Sequence, residues 1–178
     1  MTDRPIITLT TDFGVSSPYV AEMKAAMMED NISIRLRQRQ YQLAQVIIDQ
    51  AAEYFSEEAL LSYYRGEIAR GNYLHPEDAA REQVWIDTGK TKVTKELELK
   101  YVADQPAWLQ RAIREYQAAV QHPKPYHRAY KRLGEMSRYD GNIPAAIDYY
   151  QAYLAAVPQA KDRRSVQLKL ERLHKLEE

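Results

Sequence analysis

The sequence predicts a mainly α-helical protein: a short, irregular solenoid of helix pairs, with a small strand-turn-helix segment at its N-terminus. Three observations carry this. From Arg35 onward, apolar residues recur at three- and four-residue spacing, the period of one helix face. Helix start residues (Ser, Asp, Pro) and stop residues (Gly, Asn, Pro) punctuate these runs. Residues 126–158 carry a nearly complete helix-pair motif: Tyr130-x2-Leu133-Gly134-x2-Ser137, then Gly141, then Ala146-x3-Tyr150, then Pro158.

Taken in order, Pro5-Ile6-Ile7-Thr8-Leu9-Thr10-Thr11 is short and β-branched, and Asp12-Phe13-Gly14 closes it as a strand with a turn. Ser16-Ser17-Pro18 supplies an N-cap and a proline for a helix over 19–28, with a break at 31–33. Leu43, Ala44, Ile47, Ile48, Ala51, Ala52 and Phe55 form one apolar stripe. Ser56-Glu57-Glu58 opens the next helix, which carries Leu60, Leu61, Tyr64, Gly66 and Ile68 and ends at Gly71-Asn72. Pro76-Glu77-Asp78 starts a helix through Trp85, and Asp87-Thr88-Gly89-Lys90 is a turn. Residues 93–101 fit helix or strand: Val93, Leu97, Leu99 and Tyr101 alternate, while the flanking Lys and Glu favour helix. Asp104-Gln105-Pro106 begins a helix to Val120 with Leu109, Ala112, Tyr116 and Ala119 on one face. The pair at 126–139 and 143–157 follows, joined by Asp140-Gly141-Asn142. Asp162 caps a last helix whose Val166, Leu170 and Leu173 face inward. The organisation is an appendage at 1–34, then a helical domain at 35–178 with an inserted segment at about 72–106 and a C-terminal capping helix.

Composition bounds the function. Lys plus Arg and Asp plus Glu balance at 25 each over 178 residues. Without a basic excess to offset phosphates, a general nucleic-acid binder is disfavoured. The absence of cysteine removes disulfides, thiolate chemistry and Cys-based zinc sites. No stretch approaches membrane-spanning length and no signal-like apolar run follows Met1, so the cytoplasm is the default compartment; a leader removed earlier would point to the periplasm. The 14 tyrosines against two Phe and two Trp suit half-buried positions on thin helical layers, where the ring is covered and the hydroxyl stays wet.

Each position of the pair has a physical use. Gly134 and Ala146 are small enough for close helix approach. Leu133, Tyr130 and Tyr150 fill the space beside them. Gly141 can take a positive φ at the turn, and Pro158 stops the second helix. This motif resembles the tetratricopeptide repeat, with Ser137 where an aromatic is usual and Tyr153 where a small residue is usual. Ala112-x3-Tyr116-x2-Ala119 with Pro123 resembles the second helix of a further repeat, split from a first helix over 60–70. The part from about 56 to 173 is similar to tetratricopeptide regions beside bacterial M48-type peptidases and in periplasmic scaffold proteins; the peptidase metal motif His-Glu-x-x-His is absent. The resemblance implies a scaffold or adaptor that binds a protein or peptide partner without catalysis.

Residues 5–25 resemble another family. The run ending in Thr11-Asp12-Phe13-Gly14, then Ser17-Pro18-Tyr19-Val20-Ala21-Glu22-Met23-Lys24, is similar to the opening of the S-adenosyl-L-methionine hydroxide adenosyltransferases, which include SAM-dependent halogenases. That resemblance implies a nucleoside site using Asp12, Phe13 and Tyr19, with Asp12 on the ribose hydroxyls and S-adenosyl-L-methionine as ligand. Ser17, Ala21 and Ala25 depart from the family's Asp and Gly residues, and its next strand is replaced by Arg35-Leu36-Arg37-Gln38-Arg39.

Residues 122–178 hold 11 Lys or Arg against seven acids. Lys124, Arg128, Lys131 and Arg132 gather at the first helix of the pair and are the candidate grip for an acidic peptide or a C-terminal carboxylate. His122 and His127 read as connector residues, with too few neighbouring ligands for a metal; His75 and His174 stand alone. Glu57-Glu58 and Glu77-Asp78 fall at helix starts, where acids offset the helix dipole. No catalytic residue, metal or cofactor follows from the preferred reading. A SAM- or adenosine-binding protein is the first alternative, and a self-associating homo-oligomer, paired through solenoid ends or the strand edge, is the second.

Overall fold

The computed structural model describes residues 18–52 and 58–177. Their regular structure is entirely helical: α1 (Pro18–Arg37), α2 (Tyr41–Ala51), α3 (Glu58–Leu74), α4 (Pro76–Thr88), α5 (Lys95–Ala103), α6 (Gln105–Gln121), α7 (Ala129–Tyr139), α8 (Ile143–Ala156) and α9 (Arg163–Glu177). The mainly α fold class therefore stands. The strand expected at 5–11, the Ser16-Ser17 cap and Ser56-Glu57 lie outside the described residues.

The core is a string of three clusters. Ile32 of α1, Tyr41, Ala44 and Ile48 of α2, and Leu60, Leu61, Tyr64 and Ile68 of α3 make the first. Ala69 of α3, Leu109, Ala112, Tyr116 and Ala119 of α6, and Ala129, Leu133 and Met136 of α7 make the second. Ala146, Ile147, Tyr150 and Tyr153 of α8 pack with Val166 and Leu173 of α9 in the third. Half-buried tyrosines join them: Tyr63 and Tyr126 touch the first and second, Tyr130 the second and third. The tyrosine-rich composition is thus used at the seams, where a ring needs cover and a hydroxyl needs a polar exit.

Several helix ends are fixed by bonds that a sequence pattern shows only in part. The expected break at 31–33 does not occur; Ile32 is fully buried, so α1 is held through this stretch and across the 34/35 boundary. The break comes at Arg39, in the left-handed conformation at φ 57°. There Gln40 N–H donates to Arg35 O (2.9 Å) and Arg39 N–H to Leu36 O (3.1 Å), the Schellman closure. Gly141 performs the same closure for α7 at φ 78°, with Asn142 N–H donating to Ser137 O at 2.9 Å. Gly71-Asn72 does not end α3, which continues to Leu74; Gly71 is buried against the Tyr41 ring, leaving no room for a side chain. Residues 95–103 resolve as helix, opened by Thr94, whose Oγ1 accepts from Leu97 N–H. The pair's first helix starts at Ala129, so Lys124 and Arg128 precede it.

The closest helix partnerships are α3 with α6 and α7 with α8. Both are antiparallel. Gly66 meets Tyr116 while Tyr73 O accepts from Gln105 Nε2, so the C-terminal end of α3 lies by the start of α6. The three-residue turn between α7 and α8 enforces the same sense. Helices α4 and α5 form an excursion between α3 and α6.

Candidate functional site

The two antiparallel pairs share a sequence pattern and a contact. Gly66-Glu67-x2-Arg70 recurs as Gly134-Glu135-x2-Arg138, and Ala112-Ile113-x2-Tyr116-Gln117-Ala118 recurs as Ala146-Ile147-x2-Tyr150-Gln151-Ala152. In each pair the glycine lies flat on a fully buried tyrosine. A Cβ on Gly66 would stand 2.6 Å from the Tyr116 ring, and one on Gly134 2.8 Å from the Tyr150 ring. The complete pattern was available in the sequence, but 41 residues separate Arg70 from Ala112, and only the tyrosine halves are conspicuous.

Beside these contacts, charged side chains of α3, α7 and α9 form a ladder. Arg132 spans Glu67 at 2.7 Å and Glu135 at 2.9 Å, Arg70 stands 3.7 Å from Glu135, and Lys169 donates to Glu135 at 2.9 Å. Burial alone would lower the Arg132 pKa, but Glu67 and Glu135 hold it above its ordinary value. Burial would raise the carboxyl of Glu135, yet Arg132 and Lys169 bring it below its ordinary value.

Two adjoining clefts share Tyr63 and Arg128 and make one groove. The first, about 540 Å³, runs along Lys131, Arg132 and Tyr153 to Asp162. The second, about 470 Å³, runs past Tyr126 to Glu29, Asp30 and Arg37 of α1. Its floor is aromatic: the Tyr63 centroid lies 4.6 Å from that of Tyr126 and 5.6 Å from that of Tyr64. Burial pushes the Tyr63 hydroxyl up to about 12, so it is neutral and can donate at ordinary pH.

The basic residues singled out from sequence divide within this groove. Lys131 pairs with Asp162 at 2.6 Å, and the hydrogen bond from its ammonium is the main cause holding Asp162 below its ordinary pKa. Arg132 is engaged by Glu67 and Glu135. Lys124 is exposed in the connector, where its backbone N–H donates to His122 Nδ1. Arg128 is exposed, lines both clefts and has no carboxylate partner among the described residues. Sequence reasoning missed Tyr63, Tyr126 and Glu29, because their convergence depends on how α1, α3 and the α6–α7 connector pack.

Asp12 and Phe13 lie outside the described residues, as does the side chain of Tyr19. His122 Nε2 stands 3.8 Å from Glu58, and His127 stacks on Tyr130. Glu58, Glu77 and Asp78 occupy first helical turns. Among the described residues, His75, Glu77 and Asp78 bring potential metal-binding atoms within 4.8 Å of one another. That set suits a metal poorly, since the two Asp78 oxygens already accept from Arg39 (2.6 Å) and Arg81 (2.7 Å).

Comparison with protein-family models, curated proteins and solved structures gives no match to this chain. No helix among the described residues is long and apolar enough to cross a membrane.

Proposed function

We propose that this protein is a binding module: a short tetratricopeptide-like solenoid whose groove holds an extended segment of a partner protein, without catalysis of its own. The observation that carries the reading is the joined groove, aromatic along its floor and lined by charged side chains of both signs. Glu29 and Asp30 lie in the cleft along α1, together with Arg37; Arg128 stands where the two clefts meet, and Lys131, Arg132 and Asp162 line the other. The repeated Gly-on-Tyr pairs supply the solenoid reading, since stacked helix pairs lay their first helices side by side and form such surfaces. Because Lys131 and Arg132 are neutralised internally, the charge offered to a partner centres on Arg128. The segment that fits carries an acidic residue near Arg128 and a basic one near Glu29 and Asp30, with apolar or aromatic side chains between to lie on Tyr63 and Tyr126.

The test is selection of displayed peptides on the full chain, then calorimetry with the selected peptide. Peptides of this charge polarity are expected. Arg128→Glu should weaken binding by about tenfold or more, whereas Lys124→Glu should change it by less than about twofold. Failure to enrich any peptide, or an equal effect of the two substitutions, rejects the reading.

A further inference from the structure

A separate cleft of about 450 Å³ opens between α3, α7, α8 and α9, where Arg70, Arg138, Lys169 and Arg172 face a single carboxylate, Glu135. The peptide groove does not account for it. Two observations bear on its use. The first is the charge. Arg70 and Lys169 lie within reach of Glu135, but among the described residues Arg138 and Arg172 have no carboxylate partner. Arg138 rests over the Tyr139 ring at 4.5 Å. A basic residue near the end of α7 offsets the helix dipole, but that accounts for Arg138 alone. In α9 the spacing Lys169-x2-Arg172 stands where α3 and α7 carry Glu67-x2-Arg70 and Glu135-x2-Arg138. The ladder thus runs acid, acid, base, and its last rung leaves positive charge unanswered.

The second observation is a buried hydroxyl. In the first pair, Tyr116 donates to Glu67 Oε1 at 2.6 Å. Its counterpart Tyr150, fully buried and part of the cleft wall, has a hydroxyl with no hydrogen-bond partner among the described residues. The equivalent acid is already engaged: Glu135 accepts Lys169 on one oxygen and Arg132 on the other. A buried phenol without a partner costs free energy unless something else completes it.

We propose that this cleft binds a phosphate monoester. The Arg138 and Arg172 guanidiniums and the Lys169 ammonium line one space, with the Tyr150 phenol buried in its wall, which suits three terminal oxygens and two negative charges better than it suits a carboxylate. Tyr139, Leu173 and the exposed Leu176 flank the site and receive the carbon portion of the ester.

The experiment is calorimetry of the full chain with phenyl phosphate, and with benzoate as a carboxylate of similar ring size. Saturable binding of phenyl phosphate is expected, at least about tenfold tighter than benzoate. Arg138→Gln combined with Arg172→Gln should weaken it at least about tenfold while leaving the far-ultraviolet circular dichroism unchanged. Tyr150→Phe should melt at or above the wild-type temperature, because no hydrogen bond is lost, yet bind phenyl phosphate more weakly. Arg128→Glu should leave phosphate binding as it is, which separates this site from the peptide groove. A phosphoserine peptide that binds more tightly than phenyl phosphate would identify the ester as a phosphorylated protein; the reverse would identify a small metabolite. Absence of saturable phenyl phosphate binding, equal binding of benzoate, or indifference to the double substitution would overturn the proposal.

Discussion

At the scale of single residues, two glycines decide how closely the helices pair. Gly66 and Gly134 sit in helix interiors, where alanine is normally preferred by about 1 kcal/mol. Here the new methyl would meet fully buried Tyr116 or Tyr150 rings at 2.6 to 2.8 Å. Overpacking of this kind costs about 1–3 kcal/mol, so Gly66→Ala and Gly134→Ala should each lower the urea midpoint despite better helix propensity. Gly141 makes a useful contrast: its positive φ carries the turn, and nothing lies within 4 Å of an added Cβ. Gly141→Ala should cost about 1–2 kcal/mol through backbone strain alone. The role of Gly134 was legible in sequence because it stands beside Leu133 in a recognisable motif. That of Gly71, buried against Tyr41, was not: a glycine near a helix end reads as a terminator until its neighbour is known.

At the scale of elements, α2 shows why some boundaries escaped the sequence. Its N-terminal N–H groups receive no side-chain cap from Gln40. Glu82 of α4 supplies the acceptors instead, taking Gln42 N–H at 2.9 Å and Leu43 N–H at 3.1 Å. A cap delivered across 40 residues leaves no local signature, whereas the local caps at Thr94 and Asn142 do. The same holds for Arg39, a left-handed helix terminator without the glycine that usually marks one. Glu82→Ala should destabilise the protein by about 1–2 kcal/mol, read from urea unfolding, with the loss concentrated in faster hydrogen exchange of the first turn of α2. Glu82→Gln retains one acceptor oxygen and should lose less.

At the scale of the whole molecule, zero net charge conceals a local arrangement. The Glu67–Arg132–Glu135–Lys169 ladder ties α3, α7 and α9 together, and composition is blind to it. Glu135 and Asp162 both titrate below their ordinary values of 4.5 and 3.8 when folded. A depressed folded pKa contributes stability that is present above the unfolded value and lost as pH falls through the folded one. Glu82 acts in the opposite sense: desolvation outweighs its bonds to Gln42 and Leu43 and raises its carboxyl, so its contribution diminishes as pH rises through that raised value. Stability should therefore fall as pH drops below about 4.5. Urea midpoints across pH 7 to 3 check this, and Glu135→Gln should flatten the acid limb. The helical class and the α7–α8 pair were readable from periodicity and punctuation; the groove was not, because its aromatic floor is assembled from segments with no common motif.

The excursion of α4 and α5 also bears on how the chain reaches this state. Bringing α7 onto α8 closes a turn of three residues, while bringing α3 onto α6 must close one of 30, from His75 to Asp104. For a flexible chain the longer closure costs about 2 kcal/mol more in entropy, less whatever order α4 and α5 already hold. The two seams are chemically alike but differ in the chain entropy that their closure consumes, the α7–α8 seam requiring the less. Two copies of one contact are set apart in closure cost by what lies between their halves.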